Sequence, residues 1–401
     1  MKGMTIVEKI LSQHAGKESV KPGDILDIII DIRAARDFGR ANVVKNIIDN
    51  NLAVDDKNKT FFTFDCNPTG SDQKYAENQH ICRQFSREQA IPLFDINAGI
   101  GTHLMIDEGI CTPGATAVST DSHANILGAI GAFGQGMGDQ DIAAAMAHGK
   151  VWFKVPPSVR IDLKGARPKG ITAKDMVLNL LAEFGTDKLP GHAVEIYYNE
   201  DENKLTLDER ITISSMATEM SAIIIFFVPD KKVEKYCTKQ SKNKFNIVKP
   251  DKNVKYAATY TVNMDKFTIR AAKPGKPHDT VDVKELKGTK IDSAFIGSCT
   301  NGRFEDMAAA ARVLKGRKTA PGVILKIVPS TYKVWRKCLK EGIIKIFSDA
   351  GALVSNPGCA GCAAGQVGQN GTGEVTMSTG NRNFPGKQGK GEVYLASPET
   401  V

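Results

Sequence analysis

Short apolar, β-branched runs alternate with longer helical stretches through nearly all of this chain, and that rhythm constrains the fold more than any other feature. It argues for α/β domains built on largely parallel sheets, because parallel strands need a crossover connection and a helix is the usual one. The 401 residues allow two to four such domains. The first block runs through Val151-Trp-Phe-Lys-Val-Pro156 and the predicted strand Val159–Leu163 to a boundary near Gly165-Ala-Arg-Pro168. A second, smaller block carries a predicted helix at Ala173–Phe184 and another helical stretch around Arg210–Ala222. The lysine-rich, polar sequence from Asp230 to Lys255 marks the next boundary. The expected division is therefore 1–165, 166–250 and 251–401. No repeat of fixed period and no low-complexity tract interrupts it.

Composition narrows the function classes. With 41% hydrophobic and 24% charged residues the chain is an ordinary globular one. Its longest apolar stretch, Ala222–Val228, is far short of the roughly 20 residues of a membrane span. The N-terminal MKGMTIVEKILSQHAGK reads as an amphipathic helix without the features of a signal peptide, so a cytoplasmic location is expected. The net charge of +8 suits anionic small molecules, but the basic residues are spread along the chain rather than gathered as nucleic-acid binding requires. Eight scattered cysteines make no disulfide framework and read as free thiols or metal ligands.

Three of those cysteines sit in telling places. Ile291–Gly297 reads as a buried strand, Ser298-Cys-Thr-Asn-Gly302 as a tight turn, and Phe304–Leu314 as a helix with Glu305 and Asp306 in its first turn. Cys299 is thereby placed at the carboxyl end of a strand, where α/β folds gather ligand sites and where a helix N-terminus favours a thiolate. A second short strand, Gly351–Ser355, runs into Asn356-Pro-Gly-Cys-Ala-Gly-Cys-Ala-Ala-Gly365, whose C-x-x-C pair is Cys359 and Cys362. Alone, C-x-x-C also fits a thioredoxin-like redox pair or half of a zinc site. A redox pair has no need of Cys299, and structural zinc wants a fourth Cys or His nearby. Three thiolates from two loops can instead hold a cubane cluster with one iron left open as a Lewis acid.

At these residues the sequence resembles the aconitase superfamily. Gly297-Ser-Cys-Thr-Asn-Gly-Arg303 and Pro357-Gly-Cys-Ala-Gly-Cys-Ala-Ala-Gly-Gln366 look like its two cluster-binding signatures, in order and separation. Thr120-Asp-Ser-His123, Gly128–Phe133 and Ser378-Thr-Gly-Asn-Arg-Asn-Phe384 match further motifs, and the likeness runs from Thr5 to Pro398. The resemblance implies three α/β/α domains around a central [4Fe-4S] cluster held by Cys299, Cys359 and Cys362. It implies dehydration and rehydration of a 2-hydroxy di- or tricarboxylic acid, with Asp65, His103, Asp121, His123 and Glu219 as catalytic residues. Arg382, Lys387 and Arg303 are the expected contacts to the substrate; the alternative for Arg303 is a helix-start pairing with Glu305 or Asp306.

Several positions depart from the family pattern. Cys66 follows Asp65 where a histidine is usual, Ser215 stands in place of an asparagine, Lys387 in place of an arginine, and Arg36 in place of the common histidine before Asp37. The glycine-rich Gly131–Gly138 lacks G-x-G-x-x-G spacing and is expected to be close backbone packing rather than a phosphate cradle.

In the superfamily the proton-removing base resembles a serine alkoxide on a separate swivelling domain. That domain is not expected within this chain, which looks like the large subunit of a two-subunit enzyme of the 3-isopropylmalate dehydratase or homoaconitase type. A small subunit supplying the base and an anionic hydroxy acid are the expected partners, with neither nucleic acid nor membrane. The isopropylmalate type comes first, with homoaconitase and dimethylmalate- or citraconate-type hydratases behind it. A cluster-dependent RNA-binding sensor and a structural-zinc protein are the competing classes.

Overall fold

The computed structural model describes residues 3–37, 41–67, 73–199, 204–362 and 367–401. The last four residues of the second cysteine motif, 363–366, lie outside this set. Three parallel or largely parallel sheets carry the fold. In the first, the strand Ile32–Arg36 lies between Thr60–Thr63 and Thr116–Ser119, with Leu93–Phe94 and Phe133–Gly136 at the edges, all parallel. Neighbouring residues along its strands point to opposite faces, as a pleat requires. Ala35, Phe62 and Val118 enter one core with the helices Ile6–His14 and Asp139–His148. Ala34, Phe61 and Ala117 enter another with Met105, Ile126 and Ile211. Two buried faces explain the continuous apolar runs in the sequence.

The second sheet takes Ser158–Lys164, Ala193–Tyr198, Ile224–Phe226 and Ala258–Asn263, again all parallel. The strand expected to close the first block thus pairs in the second sheet, and a strand beyond residue 250 completes that sheet. Lys150–Lys154, just before it, turns back to pair antiparallel with Ile25–Ile29. Helix Ala173–Phe184 forms as expected, started by a capping box in which Thr172 and Asp175 bond reciprocally. The helical stretch near Arg210 is shorter, a helix at Leu207–Ser214 followed by a single 3-10 turn at Thr218–Met220.

The third sheet has seven strands. Within it Ser293–Ile296 lies between Ile324–Ile327 and Val375–Ser378 and is parallel to both, and among the described strands Arg270–Ala272 alone runs against the rest, pairing antiparallel on both its sides. Helices Phe304–Leu314, Tyr332–Lys340 and Ile343–Asp349 cover one face. Ala272, Val393 and Leu395 of this sheet share a core with helix Ala173–Phe184, which joins the second and third sheets. In that helix the fully buried Lys174 donates from Nζ to the carbonyls of Thr379 (3.1 Å) and Gly380 (2.8 Å), fixing the loop that leads to Arg382. Burial lowers the Lys174 ammonium from 10.5 to about 7. Among the described residues, no helix is long and apolar enough to cross a membrane.

Candidate active site

The site lies where the carboxyl ends of strands from the first and third sheets meet. Arg36 ends one strand, Asp65 follows the next, and Asp121 and His123 follow a third. Cys299 follows the strand Ser293–Ile296 of the third sheet. Its turn is tightly specified. A Cβ on Gly297 would stand 2.6 Å from the Val328 carbonyl, and Ser298 adopts a left-handed φ of 72°, sparsely populated for serine. The Ser298 hydroxyl donates to Asn381 Oδ1 (3.1 Å), and Asn381 donates to the Ser215 carbonyl (3.2 Å). Cys299 itself lies in a single helical turn, Ser298–Asn301, where a tight turn is predicted.

The three cysteines converge. Cys299 and Cys359 are buried against Ile100, with Cys362 packed beside them. The thiols of Cys299 and Cys362 both hydrogen-bond to the Cys359 sulfur. Those two bonds, aided by the Arg36 guanidinium, hold Cys359 well below the usual thiol range. The bond to Cys359, together with burial, pushes each of the other two well above it. Three soft sulfur donors in mutual contact fit a metal–sulfur centre, and none is diverted into a disulfide. Ligand atoms of Asp121, His123 and Cys299 all lie within 4.8 Å of one another, so the Asp-Ser-His motif borders the thiols directly.

The surrounding groups form two linked networks. In one, Arg36 Nε donates to Asp65 Oδ1 (2.7 Å) and Nη1 pairs with Asp121 Oδ1 (3.3 Å). The other Asp65 oxygen accepts from the Gly101 backbone N–H (2.9 Å), and Thr102 Oγ1 donates to Asp121 Oδ2 (3.3 Å). Burial raises the Asp65 carboxyl to about 7 against the pull of Arg36. Cys66, in the place of the usual histidine, is a buried thiol donating to Asp65 Oδ1 (3.3 Å), and burial pushes it well above the thiol range. Asp65 thus bonds to a guanidinium and a thiol instead of an imidazole. Asp37 accepts from the Cys66 and Asn67 amides and from Gln79 Nε2, which shapes the loop carrying Asp65.

In the second network Glu219 Oε1 bridges His123 Nε2 (3.1 Å) and Arg382 Nε (2.7 Å). Burial opposes the charge on Glu219, but these two partners overcome it and hold the carboxyl below its ordinary value. Its Oε2 is buried with no partner among the described residues. His103 donates from Nε2 to the Cys299 carbonyl (2.9 Å), leaving Nδ1 buried and bare. Burial, then the nearby Arg303, lowers His103 to about 4, so it is neutral at ordinary pH. Lys387 is half-buried and close enough to Cys362 to favour its thiolate.

Arg303 is placed differently from its expected role. Its Nη1 donates to both oxygens of the buried Asp107 (2.9 Å each) and its Nε to Asp208 (2.8 Å). Its Nε and Nη1 are thus committed to two carboxylates, neither of which is the Glu305 or Asp306 of the alternative reading; only its backbone N–H reaches Asp306 (2.9 Å). The arrangement braces the helix behind His103 against the Cys299 turn. Within Gly131–Gly138, a Cβ on Gly134 or Gly136 would strike the Ala124 or Asp121 carbonyl, so these glycines let a strand press against the Asp-Ser-His turn. Residues that motif reading passed over include Arg36 as an active partner, Thr102, Asn381 and Lys174. The sequence signal for Arg36 is its departure from the family pattern, an arginine in place of the common histidine before Asp37, at the end of the strand Ile32–Arg36.

A family model described as aconitase family (aconitate hydratase) matches residues 8–401. The 3-isopropylmalate dehydratase large subunit 1 of Methanopyrus kandleri is 37% identical over 403 residues, covering 100% of this chain and 96% of the relative. The corresponding large subunit of Saccharolobus solfataricus is 38% identical over 402 residues, covering 99% and 95%. Among solved structures, the holo-form of Thermococcus kodakaraensis aconitase X is similar with a TM-score of 0.54 at 14% identity, over 89% of this chain and 84% of that one.

Proposed function

The chain belongs to the aconitase family and is a hydro-lyase, and from that premise we propose that it is the large subunit of a 3-isopropylmalate dehydratase-type enzyme. One observation carries the reading. Three thiols from two loops meet the carboxylates Asp65, Asp121 and Glu219 and the guanidinium of Arg382 in one buried place. Cys299, Cys359 and Cys362 would hold a [4Fe-4S] cluster. When bound, such a cluster supplies a Lewis acid that weakens the bond from carbon to the departing hydroxyl.

The chain's own residues do the rest. Arg382 has Nε committed to Glu219 and keeps two terminal amino groups for a substrate carboxylate, which a planar fork grips with two parallel bonds. Lys387 adds positive charge at the same rim as a point charge rather than a fork. His123, held by Glu219 on Nε2 and by its own backbone N–H on Asp121 Oδ1 (3.0 Å), is oriented to pass a proton to the leaving hydroxyl. Asp65, raised to about 7, can exchange a proton near neutral pH. His103, neutral and bare at Nδ1, is an acceptor for a substrate hydroxyl. The base that takes the carbon-bound proton is supplied by a small subunit, a partner supported by the words large subunit in the relatives' names.

Anaerobic reconstitution followed by iron and sulfide analysis tests the reading. The chain is expected to take up about four irons with matching sulfide, and Cys299→Ser to lose them while keeping its circular dichroism. Mixed with the small subunit, the loaded chain is expected to turn over isopropylmalate, and alone to be nearly inactive. One zinc without sulfide, or full turnover by the isolated chain, would overturn it.

A further inference from the structure

We propose that Arg36 is a positioning residue of this site: one buried guanidinium sets the orientation of Asp65 and Asp121 and places a fixed positive charge beside the sulfur of Cys359. The inference rests on the proposed function and deepens it. The side chain leaves the end of the central strand of the first sheet, is only 10% exposed, and reaches three groups from three separate elements. Nε donates to Asp65 Oδ1 at 2.7 Å, Nη1 reaches Asp121 Oδ1 at 3.3 Å, and the charge lies near enough to Cys359 to favour its thiolate.

The planar fork is what makes this possible. A guanidinium carries five N–H donors in fixed directions, so groups that share it are held at fixed angles to one another. An ammonium is a point charge and fixes no such relation, and an imidazole, with its two ring nitrogens on opposite sides, lacks the fork. The surroundings reinforce the geometry. The second oxygen of each aspartate is tied down, Asp65 Oδ2 by the Gly101 N–H and Asp121 Oδ2 by Thr102 Oγ1. The Asp65 carbonyl accepts from the Cys359 N–H at 2.7 Å, so the backbone already joins the two loops that Arg36 joins by its side chain. The strand itself is anchored at its last residue, where the Arg36 N–H donates to Thr120 Oγ1 (3.0 Å), one residue before Asp121.

Two consequences follow. A fixed positive charge beside a cluster-binding sulfur favours the reduced form, so Arg36 raises the reduction potential of a bound cluster. Holding both carboxylates in one orientation serves the rate rather than substrate affinity, because the substrate's own carboxylates are left to Arg382 and Lys387.

The test compares wild type, Arg36→Gln and Arg36→Lys, each reconstituted anaerobically and combined with the small subunit. Loss of outer-sphere partners of metal ligands typically costs about 10–100-fold in activity or metal retention. Arg36→Gln is expected to shift the cluster potential to more negative values, and to lower kcat by about that factor with KM nearly unchanged. Arg36→Lys, retaining the charge without the fork, is expected to keep most of the potential and recover little of kcat. Arg36→Gln that loads normally with wild-type potential and kcat would overturn the inference. If that variant does not fold, Arg36→Lys with wild-type kcat would overturn it equally. Failure of the wild-type chain to bind iron and sulfide would instead strike the functional reading on which the inference stands.

Discussion

Replacing Lys174 by methionine gives a sharp test of how the second and third sheets are joined. The ammonium is fully buried on helix Ala173–Phe184, with carbonyls as its hydrogen-bond acceptors and no carboxylate within bonding distance among the described residues. Burial therefore lowers it from 10.5 to about 7. Between those values the unfolded chain holds a proton that the folded chain has released, so stability rises with pH across the window. Each pH unit is worth about 1.4 kcal/mol. At pH 6 the folded lysine is charged and the whole cost, about 4–5 kcal/mol, is present; at pH 9 about 2 kcal/mol remains. Lys174→Met lacks this dependence and orphans two carbonyls at about 1–3 kcal/mol each, a loss that pH does not alter. Relative to wild type, the variant is therefore expected to become less stable by about 2–3 kcal/mol on going from pH 6 to pH 9. Urea unfolding of both metal-free chains at the two pH values, followed by circular dichroism, measures that difference directly. Parallel pH profiles for the two chains would refute the argument.

Two substitutions separate bracing from binding among the arginines. Arg303→Met leaves the buried Asp107 carboxylate without its cation, with only the hydroxyls of Tyr236 and Thr331 as side-chain donors, and is expected to destabilise the chain by about 3–5 kcal/mol in urea unfolding; unchanged stability with a raised KM would return Arg303 to the substrate side. Arg382→Lys keeps the charge but loses the fork, and steady-state kinetics of the assembled enzyme should show KM for the hydroxy acid rising about tenfold, roughly the value of one charged hydrogen bond. An unchanged KM would count against carboxylate binding there.

Much of the fold was legible because strands buried on both faces write themselves as apolar runs, and because helix starts carry their caps. The helices Ala173–Phe184 and Phe304–Leu314 end where the patterns end. Sheet membership was not legible. The strand Ser158–Lys164 looks the same in sequence whichever sheet it joins, and only its pairing with Ala193–Tyr198 decides. The site divides along similar lines. Cys299, Asp121 and His123 stand at strand ends within short motifs, and the resemblance to the aconitase superfamily brought the last two to notice. Arg303 sits beside the same motif yet turns to Asp107 and Asp208, because a buried carboxylate elsewhere in the chain outbids the pocket. Arg36 shows the converse: in sequence it is only a departure from the family pattern, and its importance comes from two carboxylates and a thiol that only the folded chain gathers around it.

The bonds that cross the site join partners far apart along the chain, His103 with Cys299 at a separation of 196 residues and Glu219 with Arg382 at 163. Closing such long loops is entropically costly and belongs late in folding. The pocket is thus among the last parts of the molecule to come into being, after each sheet has its own core. A prosthetic group that prefers the closed arrangement then acts as a clasp on the whole chain, worth about 1.4 kcal/mol for every tenfold excess over its dissociation constant. Loaded molecules should outlive empty ones under proteolysis, so the cell's supply of iron and sulfide would set how much of this protein persists as well as how fast it works.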